Sequence, residues 1–495
     1  MKRSSILFLI TATIPLLAAP SWAQSPGSSS TATTSASSST PQSTTMIATS
    51  PQAPSSQTSP YNGSVPSEPV AGVLKLSLQN AIDRGLKNNL GALLASSDVQ
   101  SAQGQRWHQL SVLLPHVSVA PYVDVSQVNL KEFGFSFPSI AGVSVPTIVG
   151  PFSYFDARAS LTQNVFNWGD IQNEHAATQH LESSEHTYKD ARDLVVLAVG
   201  YNYLLAIADD ASIQTAQAQV NTAQALYKQA EDQVQAGTSP AIDALRNKVE
   251  LQTREQQLIQ SKNDFAIQKL TLARVIGLAP GQQFELTDKS PYQPFAGITL
   301  DEALKQAYGS RSDYQAALSD VHAAEYSLSA AKAEHYPSLS VNADYGVAGQ
   351  HLDQSHGVFD VRGTLNIPIF AGGVAHGDIL QAQARLTQAR ERLANLHAQI
   401  DQDIRTALLN LQSSSDQVNV AKSNIDLANQ TLAQSRDRFS AGVTNSVEVV
   451  QSEEQVASAN QQYISSLYNF NYAKIALARA MGTAEQSVKE YFKGQ

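Results

Sequence analysis

Hydrophobic and polar residues alternate with period two in four separate stretches of the chain. In the first, Val117, Val119, Val123 and Val125 fall on one side and Ser118, Tyr122, Asp124 and Ser126 on the other. In the second, Phe155, Ala157, Ala159 and Leu161 oppose Asp156, Arg158, Ser160 and Thr162. The third sets Leu339, Val341, Ala343, Tyr345 and Val347 against Ser340, Asn342 and Asp344. The fourth sets Phe359, Val361, Leu365, Ile367 and Ile369 against Asp360, Arg362, Thr364 and Asn366. Successive side chains of a strand point to opposite faces, so each stretch predicts a two-faced strand. A run of about 12 residues, at about 3.3 Å each and tilted, crosses a bilayer's hydrocarbon core. Apolar-out, polar-in alternation over that length is the transmembrane-barrel pattern; the competing reading is a soluble sandwich with one wet face. Asp156, Arg158, Asp360 and Arg362 are the candidates for a water-filled lumen. Tyr122, Tyr154, Phe166, Trp168, Tyr345 and Phe370 are candidates for interfacial girdles.

A different rhythm governs most of the remainder. Ile213, Ala216, Val220, Ala223, Tyr227, Ala230 and Val234 are spaced three and four apart, and so are Val449, Ser452, Val456, Ala459, Tyr463, Ser466, Phe470, Ala473, Leu477 and Ala480. Heptad spacing predicts helices with coiled-coil seams. From Asp170 to Gln235 no proline occurs and only Gly200 interrupts, which predicts a helix of about 100 Å at 1.5 Å per residue.

The two rhythms occur twice in the same order. Leu78-Gln79-Asn80-Ala81-Ile82 recurs as Leu300-Asp301-Glu302-Ala303-Leu304, and Leu114-Pro115 recurs as Tyr336-Pro337, at an offset of 222 (78 to 300, 115 to 337). Phe155-Asp156-Ala157-Arg158 recurs as Phe359-Asp360-Val361-Arg362 at an offset of 204 (155 to 359). Ala236-Gly237 recurs as Ala441-Gly442 at 205 (237 to 442). The drop in offset places a longer loop in the first copy, around residues 128–151. The predicted domains are therefore a first repeat at 73–298 and a second at 299–485, with a C-terminal tail at 486–495. Each repeat would hold a helix, a strand hairpin and a long helical hairpin.

Four strands per chain cannot close a barrel, and open edges are not tolerated in lipid. The strands must be pooled among copies: eight from a dimer fill their own interior, whereas twelve from a trimer leave a lumen. The predicted fold class is a mixed α/β membrane protein. It is a trimeric 12-stranded β-barrel, four strands per chain, continued by a long α-helical coiled-coil barrel, with internal duplication.

Composition adds limits. Lys2, Arg3, an apolar Ile6–Ala19 and Ser21-Trp22-Ala23 read as a signal peptide over 1–23. Residues 24–72 are rich in Ser, Thr, Pro and Gln and are expected to stay disordered. The absence of cysteine excludes thiolate metal sites, Cys nucleophiles and an acylated N-terminal Cys. A net charge of −10, or −12 after loss of Lys2 and Arg3, with no basic cluster, argues against nucleic acid as a partner. No Walker loop, nucleophile elbow or dinucleotide fingerprint occurs, so no catalytic residue and no cofactor is expected. His351, Asp353 and His356 cluster in a predicted loop, and a polar loop explains them without a metal.

The body from about Val73 to Thr483 resembles the outer-membrane efflux protein family, the TolC-like channels. The resemblance is carried by the joints Leu113-Leu114-Pro115 and His335-Tyr336-Pro337 and by Val165-Phe166-Asn167-Trp168-Gly169 and Ile369-Phe370-Ala371-Gly372-Gly373. Most of all it is carried by Arg438-Phe439-Ser440-Ala441-Gly442-Val443-Thr444-Asn445-Ser446-Val447-Glu448-Val449-Val450. The resemblance implies a homotrimer in outer-membrane lipid, extending into the periplasm. It implies a passive exit duct for efflux or type I secretion, coupled to a periplasmic adaptor (membrane fusion) protein and an inner-membrane pump of RND, ABC or MFS type. A periplasmic adaptor or envelope scaffold without a pore is the alternative. The turns at 235–241 and 440–446 would dock the partner, through Gly237, Thr238, Gly442 and Val443. The family's paired pore-constricting acids fall on Glu448 and Gln451, the second having lost its charge; Asp243 and Arg246 hold the matching places in the first half. Asp243 and Glu448 are thus candidates for an acidic ring at the periplasmic mouth, against the plainer reading of acids favoured in a first helical turn. Tyr227, Arg246 and Arg438 are candidates for holding that mouth closed.

Overall fold

The computed structural model describes residues 59–134, 146–288, 292, 294–295, 297–444 and 446–491. In chain order the elements are β1 (Leu74–Leu76), α1 (Leu78–Asn88), α2 (Leu90–Leu113), β2 (His116–Asn129), β3 (Ile148–Phe166), α3 (Trp168–Gln235), α4 (Ala241–Val275) and β4 (Phe284–Leu286). There follow α5 (Leu300–Ser310), α6 (Ser312–Lys332), β5 (Ser338–Gly349), β6 (His356–Asn366), α7 (Val374–Ser440), α8 (Ser446–Ala480) and α9 (Ala484–Tyr491). Two short helices, two strands, a long helix and a half-length helix thus appear once in each half.

Local chemistry sets the boundaries. Ser77 caps α1, Asn167 caps α3, and Thr299 with Glu302 forms a reciprocal capping box on α5. Asn89 ends α1 and its side chain accepts from Gly91 N to start α2. Pro115 and Pro337 follow the helix ends, because the residue before proline is pushed into extended geometry. α3 and α7 run for 68 and 67 residues, each about 100 Å at 1.5 Å per residue.

Packing orders the helices sideways. Towards the strands, α2 lies on α3, α3 on α6, and α6 on α7. Towards the far end, α4 lies on α3, α3 on α8, and α8 on α7. The broad core sits between these levels. Leu76, Ile82, Val195, Val196, Val199, Tyr203, Leu272, Ile276, Ile475 and Val488 are all but fully buried there. Gly200 lets α3 approach α8, since a Cβ would come within 2.7 Å of Ile475. A stretch of α3 is apolar and long enough to cross a membrane by length and composition, yet half of it is buried, in keeping with the α3 residues in this core.

Three boundaries differ from expectation. Of the 24–72 segment expected to be disordered, residues from Ser59 onward are folded against the body. The Tyr61 ring packs on Gly91, Asn89 Nδ2 donates to the Tyr61 carbonyl at 2.7 Å, and Ser64 bonds the Val275 carbonyl. These contacts satisfy backbone groups that composition alone gives no reason to order. The expected tail at 486–495 begins inside α9, because Val488 is an apolar anchor in the core. The expected loop at 128–151 is shorter, because β2 and β3 keep pairing outward to Asn129 and Ile148 past a bulge. A 3-10 turn at Leu130–Phe133 follows β2; residues 135–145 and the expected signal peptide lie outside the described residues.

Candidate functional site

The four long strands form one antiparallel sheet in the order β2-β3-β5-β6. Its register carries the alternation across every strand. Val119 faces Ala159, Ala159 faces Tyr345, and Tyr345 faces Phe359, so the apolar positions share one side. Ser118, Ser160, Asp344 and Asp360 line up on the other. The apolar side is uncovered: Val119 is 68% exposed and Phe359 77%. Among the described residues, β2 and β6 each have a strand neighbour on one side only. A large apolar face rimmed by strand edges marks a surface meant for lipid or another chain.

The polar side splits the four lumen candidates into two kinds. Asp156 is 3% exposed and sits 2.8 Å from Arg158, whose other arm reaches Asp344 on β5 at 2.9 Å. Tyr154 donates its hydroxyl to Asp156 at 3.0 Å and stacks obliquely on Tyr122 at 6.2 Å, so both tyrosines belong to the polar side. Asp360 and Arg362 form a separate, exposed pair at 3.2 Å on edge strand β6. Phe166, Trp168 and Phe370 are exposed at the strand–helix joints, while Tyr345 is exposed on the apolar face.

At the opposite end, both long hairpins turn in the same way. Gly237 at φ +75° and Gly442 at φ +70° take the left-handed conformation that terminates α3 and α7. Gly237 N donates to Val234 O and Thr238 N to Gln233 O; Gly442 N donates to Phe439 O and Val443 N to Arg438 O. Thr238 and Val443 therefore close the turns through their backbone, and the Val443 side chain is exposed.

The acidic candidates are engaged within the chain. Asp243 is buried, accepts from Ser446 Oγ at 3.0 Å and lies 3.5 Å from Arg246. Ser446 belongs to the other hairpin, so this bond ties the tips together. Glu448 lies 3.3 Å from Arg438 and accepts from Thr444 Oγ1. Gln451 is exposed. Tyr227 donates to Glu231 on its own helix at 3.5 Å. Arg438 and Arg246 each pair inside their own hairpin.

One layer deeper lie residues that the sequence reading passed over. Arg254 Nε reaches Glu250 at 2.6 Å, Arg436 reaches Glu453 at 3.0 Å, and the Ser435 and Ser452 hydroxyls meet at 2.8 Å. Burial raises the proton affinity of the Glu453 carboxyl; Arg436 opposes this and Glu250 adds to it. Heptad spacing from 243 to 250 and from 446 to 453 was the available signal. No group of three or more His, Asp or Glu is arranged to hold a metal among the described residues, and His351 instead lies 3.4 Å from Ser153 Oγ.

The sequence model of the outer membrane efflux protein family matches residues 149–278 and 303–483. The chain belongs to the outer membrane efflux protein family. It is 26% identical to outer membrane protein TolC of Escherichia coli K12 over 168 residues, 34% of each chain. It is 21% identical over 422 residues to the probable efflux pump outer membrane protein SepC of Pseudomonas putida, covering 82% of this chain and 83% of SepC. It is 23% identical over 417 residues to the cation efflux system protein CusC of Escherichia coli O157:H7, covering 82% and 85%. The crystal structure of VceC from Vibrio cholerae superposes with a TM-score of 0.70 at 18% identity, over 82% of this chain and 96% of VceC. A CusC structure gives 0.70 at 19%, over 84% and 97%. The family member described here is an outer-membrane efflux channel component. It is located in the outer membrane and extends into the periplasm.

Proposed function

We propose that three copies of this outer membrane efflux protein close into one passive exit duct. The observation that carries this reading is the four-stranded sheet with an uncovered apolar face and two free edges. In lipid those edges must be paired, and pairing β6 of one copy with β2 of the next closes a ring of twelve strands. The flanks of the helical body fit the same operation. α2 and α4 lie on one side, α7 on the other. Ile242, Leu245, Val249 and Ile259 are exposed along α4, and Leu409, Val420 and Leu427 along α7. Near-heptad apolar stripes on opposite flanks suit head-to-tail contact between copies. The matching element order of the two halves, read as an internal duplication, then gives six helical columns of like construction around the axis.

In the assembled duct the charged face carrying Asp156, Arg158, Asp360 and Arg362 lines the lumen. Aromatic residues at the joints, Phe166, Trp168 and Phe370, sit at the periplasmic-side interface of the outer membrane. The tips at 235–241 and 440–446 form the periplasmic mouth, with Glu448 the more exposed member of the acidic ring. A periplasmic adaptor engages these tips through Gly237, Thr238, Gly442 and Val443, and an inner-membrane pump supplies the energy. By this account the protein is not an enzyme, and the pump rather than the duct selects the cargo. Planar-bilayer recording of the purified, full-length protein tests the reading: discrete ion-conducting steps are expected, and an electrically silent, lipid-inserted protein would refute it.

A further inference from the structure

The two strand hairpins match in register as well as in sequence. Tyr122 faces Asp156 in the first, and Asp344 faces Asp360 in the second. These pairs coincide under the offsets of the internal repeat, 222 for the leading strand (122 to 344) and 204 for the returning one (156 to 360). β3 therefore stands to β5 as β6 stands to the strand beyond it. In a ring of identical copies that strand is β2 of the next copy. Within the chain, Arg158 on β3 lies opposite Gly346 on β5. Carried over by the same offsets (158 to 362, 346 to 124), this pairing sets Arg362 opposite Asp124 of the next copy.

The side chains fit that placement. Arg158 is fully engaged: it holds Asp156 on its own strand at 2.8 Å and crosses to Asp344 on β5 at 2.9 Å. Arg362 repeats only the first of these contacts. It holds Asp360 on its own strand at 3.2 Å, and β5, its neighbour within the chain, sets Asn342 and not a carboxylate opposite it. Its side chain is 71% exposed. Asp124 is the complement. It is exposed on β2, accepts from Ser126 Oγ at 2.9 Å and has no ion-pair partner among the described residues. The acid has moved between the two seams: Asp344 stands two positions from Gly346, the direct partner of Arg158, whereas Asp124 holds the direct-partner position itself. Directly opposed Cβ atoms lie about 4.5–5.5 Å apart, within reach of a guanidinium.

We propose that Arg362 of one copy pairs with Asp124 of the next across a β6–β2 seam and fixes the register in which the copies join. The inference rests on the pooling of strands between copies. An ion pair in a wet lumen adds little stability by itself. What it supplies is discrimination among registers. A slide of one residue exchanges the two faces of a strand and would turn the apolar side of one copy towards the polar side of the next. Slides of two residues keep the faces, and both are worse for charge. One sets Asp360 opposite Asp124, and like charges directly opposed are destabilising. The other sets Arg362 opposite Ser126 and Asp124 opposite Thr364, which leaves both charges without a partner across the seam. The proposed register also runs Val361 against Val125 and Gly363 against Val123, so the apolar face continues from copy to copy.

The chain has no cysteine, so introduced pairs can be oxidised selectively. Arg362→Cys/Asp124→Cys in the full-length protein, oxidised in the membrane, should run as a covalent trimer on denaturing, non-reducing gels. The shifted pairs Asp360→Cys/Asp124→Cys and Arg362→Cys/Ser126→Cys should cross-link several-fold less. Charge reversal tests the interaction itself. Arg362→Asp and Asp124→Arg should each lower the temperature at which the native particle dissociates in detergent, and the double reversal should restore it. In a particle that is still a trimer, cross-linking at a shifted pair or at none, or a double reversal no better than the weaker single variant, overturns the pairing alone. If no pair cross-links and the wild type is itself a monomer, the pooling of strands fails with it.

Discussion

Arg479 Nη2 donates to Asp190 Oδ1 at 2.6 Å across 289 positions of sequence. The pair joins α3 of the first half to the end of α8, beside Arg311, Asp313 and Asp193. Burial pushes the Asp190 carboxyl up to about 6 in spite of Arg479. The folded state therefore holds a proton that the unfolded chain, near 3.8, does not. The penalty of the buried charge is full above pH 6 and disappears as pH falls towards 3.8, so this group favours folding in acid. Asp190→Asn should be more stable than wild type at pH 8 relative to pH 5, with the difference read from melting temperatures. Equal shifts at both pH values would contradict the assignment. Arg479→Leu leaves the acid buried and unpaired, and should lower stability by about 3–5 kcal/mol at pH 8.

Two glycines with left-handed backbones should respond differently to alanine. At Gly237, φ +75°, a Cβ meets open space, so Gly237→Ala should cost only the backbone term, about 1 kcal/mol. At Gly482, φ +72°, the same atom would lie 2.6 Å from Arg311 Cα. Gly482→Ala should therefore destabilise by clearly more and disturb the Arg311 contacts with Asp313 and Asp403. Thermal unfolding of the two variants side by side gives the comparison; equal losses would contradict the close approach.

The two faces of the sheet should differ sharply in tolerance. Val361→Lys puts a charge on the apolar side and should cost about 2–4 kcal/mol near the middle of the membrane, reducing insertion. Asp360→Asn, on the opposite side of the neighbouring position, should insert normally and alter ion preference. Outer-membrane fractionation and reversal potentials separate these outcomes, and comparable insertion of the two variants would remove the lipid-facing assignment.

At the mouth, Asp243 is buried and bonded to Ser446, whereas Glu448 is partly exposed beside Arg438. Glu448→Gln should reduce cation preference more than Asp243→Asn does. Asp243→Asn should instead loosen the tie between the tips and raise mean conductance. Reversal potentials in a salt gradient check the first statement and open-channel occupancy the second; a larger selectivity loss at Asp243 would reverse the roles.

Strands, long helices and tips were legible because each rests on a periodic pattern or a glycine turn. The alternation at Val117–Ser126 and Phe359–Asn366 survives intact in the register, and α3 ends at Gln235, the residue before Ala236-Gly237. The strap from Ser59 was not legible: a Ser- and Pro-rich composition gives no hint that Tyr61 will cover Gly91 or that Ser64 will satisfy the Val275 carbonyl. α9 was missed because eight residues are too few to show a period, and its place is fixed by tertiary partners, Arg192 for Glu485 and the core for Val488. The acidic candidates were found by position, but only side-chain geometry shows that Asp243 is turned towards Ser446 and that Glu250 and Glu453 are buried, each beside an arginine of its own hairpin.

The central claim is that strands are pooled among copies. The native mass of the detergent-purified protein tests it most directly, because the 53.1 kDa chain has four long strands and two free edges. The account predicts a particle of three protomers. A stable monomer in detergent would leave both edges unpaired and would contradict it.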